Sequence, residues 1–218
     1  VGGNLTLTSG ALALGGTTVG GALAVTASGA VTDTGVLAVT GTTTINAGSN
    51  AVTLNSSNTS GGAASITGGD VDVTINATGN LTLTTTGSVT FGTTTVGGNL
   101  AVTAGTTVSQ SGVLTITGTT DITAANGASN ITLNVFDNDF SKTVGGVLGG
   151  AVSLRGHNTR IKDVNEIDLG TIITYGMFLV QAGGAVTDSG VLTLLAKLEI
   201  QAATHDVTLD TASNDLHP

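Results

Sequence analysis

The chain has 218 residues, a formal net charge of −9 and no cysteine. The first of its five basic residues is Lys142, so nothing before that position can neutralise phosphates. This distribution argues against binding to nucleic acid or to anionic membrane surfaces, and any long-range attraction would favour cations or basic partners.

The composition predicts an ordered chain with a thin core. Hydrophobic residues make up 39% of the sequence but aromatic residues only 2%, so the interior must consist of Val, Ile, Leu and Ala. That hydrophobic content and the regular alternation argue against disorder. No apolar run is long enough to span a membrane, and the chain starts at Val1 in mid-pattern, so we expect it to be a segment of a longer protein.

Short strands follow one another along the whole chain. Each is an apolar residue, any residue and another apolar residue, bounded by Gly, Asn or Ser, and no helical period persists. In chain order the triplets are LTL at 5–7, LAV at 23–25 and 37–39, VTL at 52–54, VDV at 71–73, LTL at 81–83, LAV at 100–102, LTI at 114–116, ITL at 131–133, VSL at 152–154, LTL at 192–194 and VTL at 207–209.

One phrase occurs three times along the chain. VTASGAVTDTGVL begins at Val25, VTAGTTVSQSGVL at Val102 and VQAGGAVTDSGVL at Val180. An internal period of this length, about 78 residues, indicates a repeat architecture. Stacked coils place equivalent residues above one another and so favour similar neighbours, whereas the strands of an antiparallel sandwich need not resemble each other.

The sequence therefore predicts an all-β parallel β-helix, a β-solenoid, with about 19–20 residues per coil and four coils per repeat of about 78 residues. We expect right-handed winding, because crossovers between parallel strands are nearly always right-handed. About eleven coils would form a rod on the order of 50 Å long. Val31, Val108 and Val186 should point inward at equivalent positions four coils apart.

Residues 134–178 are expected to form irregular coils within a single solenoid that spans residues 1–218. GGAASITG at 61–68 aligns with GGAVSLRG at 149–156, at an offset longer than the period of the repeated phrase. The second copy therefore carries about nine extra residues before Gly149 and lacks about ten after Gly156. Irregular loops on a rigid scaffold are common recognition sites.

The phrases GNLTLT, GAVTDTGVLAVTGTTTI, NITLN and NDF give nearly the whole chain a resemblance to the repeat regions of filamentous-haemagglutinin-like exoproteins, large adhesins exported by two-partner secretion in Gram-negative bacteria. The resemblance implies a right-handed parallel β-helix, a secreted or surface location, and an adhesive or structural role without catalysis. The family's amino-terminal secretion domain is missing from this sequence, so the export route is implied only by analogy.

The irregular coils hold the candidate site for a partner. Residues 136–178 contain three of the four Phe residues, the only Tyr, the only Met and four of the five basic residues. Aromatic and Arg side chains dominate contact energies in interfaces. The alternative is that the aromatic residues fill wider coils and the charges are solvated. The candidate contact residues are Phe136, Phe140, Lys142, Arg155, His157, Arg160, Lys162 and Tyr175.

The sequence gives weaker support for a catalytic site or a metal site. Acidic and basic residues mix between Arg155 and Asp168, as in a polysaccharide-active β-helix enzyme, but no second acidic cluster follows one coil later. Asp70 with Asp72, and Asp137 with Asp139, suit a cation, but Asx residues are also the usual occupants of tight turns. We favour turns in both places, and predict no catalytic residue, metal or cofactor.

Thr-X-Thr pairs raise a further possibility, an ice-binding array of stacked hydroxyl groups. Thr6 with Thr8, and Thr82 with Thr84, have this spacing, but Thr is also a good strand residue in general. The three histidines are far apart and lack metal-ligand spacing.

The sequence thus favours a non-enzymatic structural or adhesive protein of the bacterial exterior, the stalk of a filamentous adhesin. The alternative is a subunit that builds a surface filament by head-to-tail stacking, because the end of a solenoid is an unpaired strand edge. Expected partners are copies of the chain itself, or glycans or proteins of a host or cell surface. A polysaccharide-active enzyme and an ice-binding protein have less support.

Overall fold

The computed structural model describes residues 1–140 and 149–216. Within these residues the chain forms a parallel β-solenoid of about ten turns, with coils about 20 residues apart, which confirms the predicted fold class. The count is slightly below the expected eleven, and coils stacked about 4.8 Å apart give a rod of about 50 Å. Right-handed winding stays a prediction. No helix in the described ranges is long and apolar enough to span a membrane.

The strands are short and connected by tight turns, together with one 3-10 helix at Ala125–Gly127. In chain order they are β1 (Leu5–Ser9), β2 (Leu12–Leu14), β3 (Thr17–Val19), β4 (Leu23–Ala27), β5 (Val31–Asp33), β6 (Leu37–Val39), β7 (Thr43–Asn46), β8 (Val52–Ser60), β9 (Ala64–Gly68), β10 (Val71–Ala77), β11 (Leu81–Thr85), β12 (Val89–Phe91), β13 (Thr94–Val96), β14 (Leu100–Ala104), β15 (Val108–Gln110), β16 (Leu114–Ile116), β17 (Thr120–Ala124), β18 (Ile131–Leu133), β19 (Val152–Gly156), β20 (Thr159–Asp163), β21 (Ile167–Thr174), β22 (Phe178–Ala182), β23 (Val186–Asp188), β24 (Leu192–Leu194), β25 (Leu198–Gln201), β26 (Val207–Thr208) and β27 (Asp215–Leu216).

Each coil contributes to three faces of the rod, and the pairings between coils are parallel. The first face is the ladder β1, β4, β7, β9, β11, β14, β17 and β19, continued by the second half of β21 and by β24 and β27. The second face runs from β2 and β5 through the first halves of β8 and β10 to β12, β15, β18, β20, β22 and β25. The third comprises β3, β6, the second halves of β8 and β10, β13 and β16, and later the first half of β21, β23 and β26.

The core is a set of aliphatic columns parallel to the rod axis. In the first face, one column consists of residues that each pair in register with the next. They are Leu7, Val25, Ile45, Ile66, Leu83, Val102, Ile122, Leu154, Ile172 and Leu192. Because these side chains alternate with outward residues, most of them Thr, Ser or Asn, the period of two buries one side of each strand and leaves the other in solvent.

The expected equivalence of the three valines is correct for two of them. Val31 and Val108 occupy the same column of the second face, four coils apart. Val186 is also fully buried, but it belongs to another column, because Val108 is followed along its own column by Ile131, Thr159 and Phe178. The prediction that Val186 is equivalent is therefore wrong.

The physical reason is one long coil. On the first face Leu100 pairs with Thr120 across a coil of ordinary length, whereas Thr120 pairs with Val152, across a coil more than half as long again. The extra residues of this coil lie in the interval between the second and third copies of the phrase. That interval therefore forms only three coils and one further face of the rod, instead of four coils. The third copy of the phrase is consequently rotated by one face around the axis.

A column of glycines closes the corner between the third and first faces. The backbone N–H of Gly41 donates to the carbonyl of Gly21, and the same bond recurs between successive glycines at 62, 79, 98 and 118. At Gly79 a Cβ would lie 2.7 Å from the backbone nitrogen of Ala63 in the coil below. Any side chain at this corner would therefore push neighbouring coils apart.

Candidate binding site on the irregular coils

The predicted contact residues do not form one surface. Phe140 is fully buried and packs in the core, so its assignment to a contact surface is wrong. Phe178 is likewise fully buried, as the core-filling alternative predicts. Lys142 lies outside the described residues. The remaining candidates are half-buried or exposed and fall into two groups; they are Arg155, His157, Arg160, Lys162, Tyr175 and Phe136.

The first group surrounds the corner between the first and second faces. Arg155, on β19, donates from Nε to the carbonyl of Asn126 (3.1 Å) and from Nη2 to the hydroxyl of Tyr175 (3.3 Å). The Tyr175 ring lies directly against Gly127, where it occupies the space that a side chain would need. His157 borders the same shallow depression, whose volume is about 320 Å³.

The loop beneath Tyr175 has an unusual backbone. Ala125, Asn126 and Gly127 have φ values of +46°, +52° and +98°, so three consecutive residues are left-handed. For Ala such a conformation costs about 1 kcal/mol or more, and it persists only where surrounding contacts hold it. The Arg155 hydrogen bond and the Tyr175 ring supply these contacts.

Arg160 lies on the other side of this corner, on the second face. Together with Asn130, Thr132, Asn158 and Met177 it lines a second depression of about 450 Å³. The Oδ1 atoms of Asn130 and Asn158 accept backbone N–H groups of the next coil, at 3.1 and 3.0 Å. These two side chains therefore join successive coils along the floor of the depression.

The second group of candidates is Phe136 with Lys162. Phe136 is 65% exposed, and the Lys162 Nζ lies 4.3 Å from its ring centroid, a cation–π contact. A cleft of about 210 Å³ continues from this pair past Val164 and Gln181. The pair is an exposed contact in its own right, separate from the Tyr175 corner.

Asp163 is buried beside this cleft. Its carboxylate accepts the N–H of Phe140 at 2.8 Å and that of Asn165 at 2.9 Å. Burial, together with nearby Asp139 and Glu166, raises the pKa of Asp163 to about 6 against the opposing effect of the two N–H groups. Asp163 therefore shapes a turn and carries a titratable proton near neutral pH.

The turn prediction for the acidic pairs is confirmed for Asp70 and Asp137 and wrong for the other two residues: Asp72 lies within β10, and Asp139 forms a parallel β-bridge with Thr115. The Asp70 carboxylate accepts the N–H and the hydroxyl of Ser88, at 2.7 and 2.8 Å. Asp137 adopts φ +71°, which Asx residues tolerate. Among the described residues, no group of three or more His, Asp or Glu side chains could hold a metal ion.

Sequence reasoning missed a buried polar clamp that recurs in each copy of the phrase. In the first copy, Asn58 donates to the Asp33 carboxylate (2.7 Å) and accepts the N–H of Leu37 (2.8 Å). The second copy uses a reciprocal amide pair between Gln110 and Asn138. The sequence signal for the clamp is the polar residue four positions before Leu in TDTGVL, SQSGVL and TDSGVL. Its Asn partner follows more than one coil later in the chain and is not evident from the sequence.

The third copy repeats the clamp on its rotated face. Asn214 donates to the Asp188 carboxylate at 2.6 Å and accepts the N–H of Leu192 at 2.9 Å. Burial alone would raise the pKa of Asp188, but the hydrogen bonds from Asn214, Asp210 and Thr211 together lower it. The clamp therefore follows the repeated sequence and does not depend on one face of the rod.

A family model matches three separate spans of the chain, at residues 2–67, 78–146 and 156–217, and each span contains one clamp. The chain belongs to the DUF5649 family. The description of that family is "repeats of unknown function". The DUF5649 spans start about 78 residues apart, which matches the period of the repeated phrase.

Neither a search of curated proteins nor a search of solved structures found a match for this DUF5649 chain. The description of the DUF5649 repeats names no activity and no partner. The resemblance to filamentous-haemagglutinin-like exoproteins therefore stays a prediction.

Proposed function

We propose that the chain is a non-catalytic structural segment, the stalk of an extracellular adhesin of a Gram-negative bacterium. The observation that carries this proposal is the continuous parallel stacking of about ten coils. Backbone hydrogen bonds run along the rod from coil to coil, so a pull along the axis acts on many of them together. Such a scaffold is suited to holding a binding surface away from a cell.

The outward side chains are consistent with a passive wall. They are mostly Thr, Ser, Asn and Ala, and charged residues account for only 9% of the chain. A surface of this kind stays hydrated without attracting one class of charged partner over most of its length.

Cell-surface location is the part of the proposal that is simplest to test. Antibodies raised against the purified chain should label intact, unpermeabilised cells of the bacterium that produces it, and externally added protease should remove the label. Labelling that appears only after permeabilisation would overturn the extracellular stalk. An antibody to a cytoplasmic protein serves as the control for cell integrity.

A second candidate is a subunit that polymerises by end-to-end stacking. It is favoured by the two ends of the described stack, where inward apolar side chains are only partly covered. These are Leu5, Leu7 and Leu12 at one end and Leu198, Ile200 and Leu209 at the other. Further coils of the same polypeptide or a second copy would bury them.

Sedimentation velocity separates the two candidates. A filament subunit should show a weight-average sedimentation coefficient that rises with protein concentration, and electron micrographs should contain filaments. A stalk segment should remain monomeric at all concentrations. Leu5→Asp is the matched variant: it charges one end only, leaves Ile200 at the other end unchanged, and should abolish polymerisation.

A further inference from the structure

The corner between the first and second faces carries two adjoining depressions. Residues of one depression are close in sequence to those of the other: Ala128 to Asn130, His157 to Asn158, and Tyr175 to Met177. The pair thus forms one extended surface, with Arg155 at one side and Arg160 at the other.

Tyr175 provides a fixed aromatic platform on this surface. Its ring rests on Gly127, its hydroxyl accepts a hydrogen bond from Arg155, and 41% of the residue remains exposed. A ring that is held on one side and open on the other can stack against the apolar face of a sugar ring without losing further side-chain entropy.

Hydrogen-bond donors with spare capacity surround the platform. An Arg side chain has five N–H donors, and the hydrogen bonds of Arg155 to described residues use two of them. The corner residues Asn130 and Asn158 engage their Oδ1 atoms, which leaves their amide NH₂ groups without a partner among the described residues. Guanidinium and amide donors of this kind suit hydroxyl and carboxylate oxygens.

Charge selects an acidic ligand over a neutral one. Within the described residues, the one salt bridge joins the Nζ of Lys197 to Glu199 at 2.7 Å, so the Glu199 carboxylate already has a cation. Arg155 and Arg160 make no ion pair with a described carboxylate, although Asp121 borders the same cavity as Arg155, and Arg160 contributes to lowering the pKa of Glu199. In a chain of net charge −9 they form a local positive site, and a guanidinium pairs well with a planar carboxylate.

We propose that this corner binds an oligosaccharide that carries carboxylate groups, with one sugar ring stacked on Tyr175 and acid groups paired with Arg155 and Arg160. The inference deepens the adhesive role proposed above, on which it rests for its biological purpose. The site itself does not depend on whether the rod is a stalk or a filament.

The test is calorimetric titration of the full chain with hexasaccharides of galacturonate, of hyaluronate and of polysialate, each at low ionic strength. The methyl ester of the galacturonate hexamer, which has the same rings without the charges, is the matched neutral probe. We expect at least one acidic hexamer to bind, and its affinity to fall with added salt. Absence of binding by all three acidic hexamers would overturn the site.

Variants of the corner residues test whether the oligosaccharide binds at this corner. Tyr175→Ala and Arg155→Gln should each weaken affinity by about tenfold or more, as residues at the centre of an interface do. Lys162→Gln, which removes the same charge from the separate contact with Phe136, should leave affinity unchanged. Equal binding by all variants, or equal binding of the methyl ester, would refute the proposed contacts.

Folding of each variant is checked by thermal melts. If Tyr175→Ala fails to fold, Tyr175→Leu replaces it; this variant covers Gly127 without an aromatic face and should still weaken affinity, whereas Tyr175→Phe keeps the ring and should retain most of the affinity. Unchanged affinity in a folded Tyr175→Leu protein would show that the ring is not the platform.

The outcomes for the rod and for the site are distinct. Surface labelling without oligosaccharide binding would remove this inference and leave the stalk. Oligosaccharide binding without surface labelling would keep the binding site and remove the extracellular stalk.

Discussion

At the scale of single residues, Asn58 shows how one buried amide joins two coils. It is only 2% exposed, donates to the Asp33 carboxylate and accepts the N–H of Leu37 from the coil below. A buried donor or acceptor without a partner costs about 1–3 kcal/mol. The clamp matters chiefly because its removal leaves the N–H of Leu37 without a partner, whereas the Asp33 carboxylate keeps the N–H groups of Asn55 and Ser56.

Asn58→Ala should accordingly lower the free energy of unfolding by about 2 kcal/mol, because the N–H of Leu37 loses its partner and the Asp33 carboxylate loses one of its three donors. Asn55→Ala is the matched control, since this exposed Asn lies on the same strand and contacts Asp33 through its backbone N–H, which the substitution keeps. Urea denaturation measures both variants. Equal losses for the two would show that the clamp does not stabilise the fold.

Asp163 predicts a pH dependence of stability. Its pKa is raised from the ordinary value of 3.8 to about 6 in the fold, which means that the folded state favours the protonated carboxyl group. The contribution of this group to the free energy of unfolding is therefore complete below pH 3.8 and is lost as the pH rises through 6. Between about pH 5 and pH 7 the free energy of unfolding should fall by about 1 kcal/mol.

Chemical denaturation at about pH 5, 6 and 7 measures this effect. Asp72, whose pKa is also raised, first by burial and then by Asp33, acts in the same direction. The Asp163→Asn variant should lose most of the dependence whatever its absolute stability. A wild-type protein that becomes more stable over this rise in pH would contradict the assignment.

At the scale of elements, the stacking of strands depends on what each inward position can accept. Val108, on β15, is 1% exposed and pairs with Val89 below and Ile131 above. The sequence holds no basic residue before Lys142 that could pair with a charge introduced there.

Val108→Asp should therefore unfold the chain or lower its stability by several kcal/mol, because an unpaired buried carboxylate loses its hydration. Thr103→Ser, at an exposed outward position of β14, should change stability by less than about 0.5 kcal/mol. Thermal melts compare the two. A negligible loss for Val108→Asp would contradict its inward orientation.

The glycine corner allows a second comparison between elements. Gly79→Ala places a Cβ 2.7 Å from the nitrogen and 3.0 Å from the Cα of Ala63, and should cost about 1–3 kcal/mol through displaced coils, as measured by urea denaturation. Gly10→Ala is the control, because a Cβ there meets nothing within 4 Å. If Gly10→Ala is as destabilising as Gly79→Ala, coil contact at this corner is not the cause.

At the scale of the whole molecule, stability should vary along the rod. Each interior coil is covered on both sides, whereas β26 is exposed at Val207 and β1 has only partly buried leucines. In a stack where each coil contacts only its neighbours, the ends open first.

Hydrogen exchange followed by mass spectrometry should therefore show slow exchange from β4 to β22 and fast exchange in β26 and β27. The gradient should be independent of protein concentration for a monomeric rod. If the terminal strands become protected as concentration rises, the ends associate and the filament candidate gains. Uniform exchange along the chain would contradict a nearest-neighbour stack.

The sequence by itself determined the class of fold and the aliphatic part of the core, in which Phe91, Phe140 and Phe178 are buried as well. Alternation such as LTL or LAV orients side chains alternately inward and outward, and the long internal repeat places Val31 and Val108 in one column. These features are local or periodic, so they can be recognised without knowing the path of the chain. The turn roles of Asp70 and Asp137 were predictable for the same reason.

The tertiary structure alone decided how the coils are phased and which residues meet. The long coil from Thr120 to Val152 rotates the third copy by one face, and this displaces Val186 from the column of Val108. The fold also buries Phe140 and leaves Phe136 exposed. It brings the Tyr175 ring onto Gly127, which lies two coils earlier in the chain and is adjacent to Tyr175 only in space. Such contacts depend on the summed length of all the intervening turns, which no local pattern specifies.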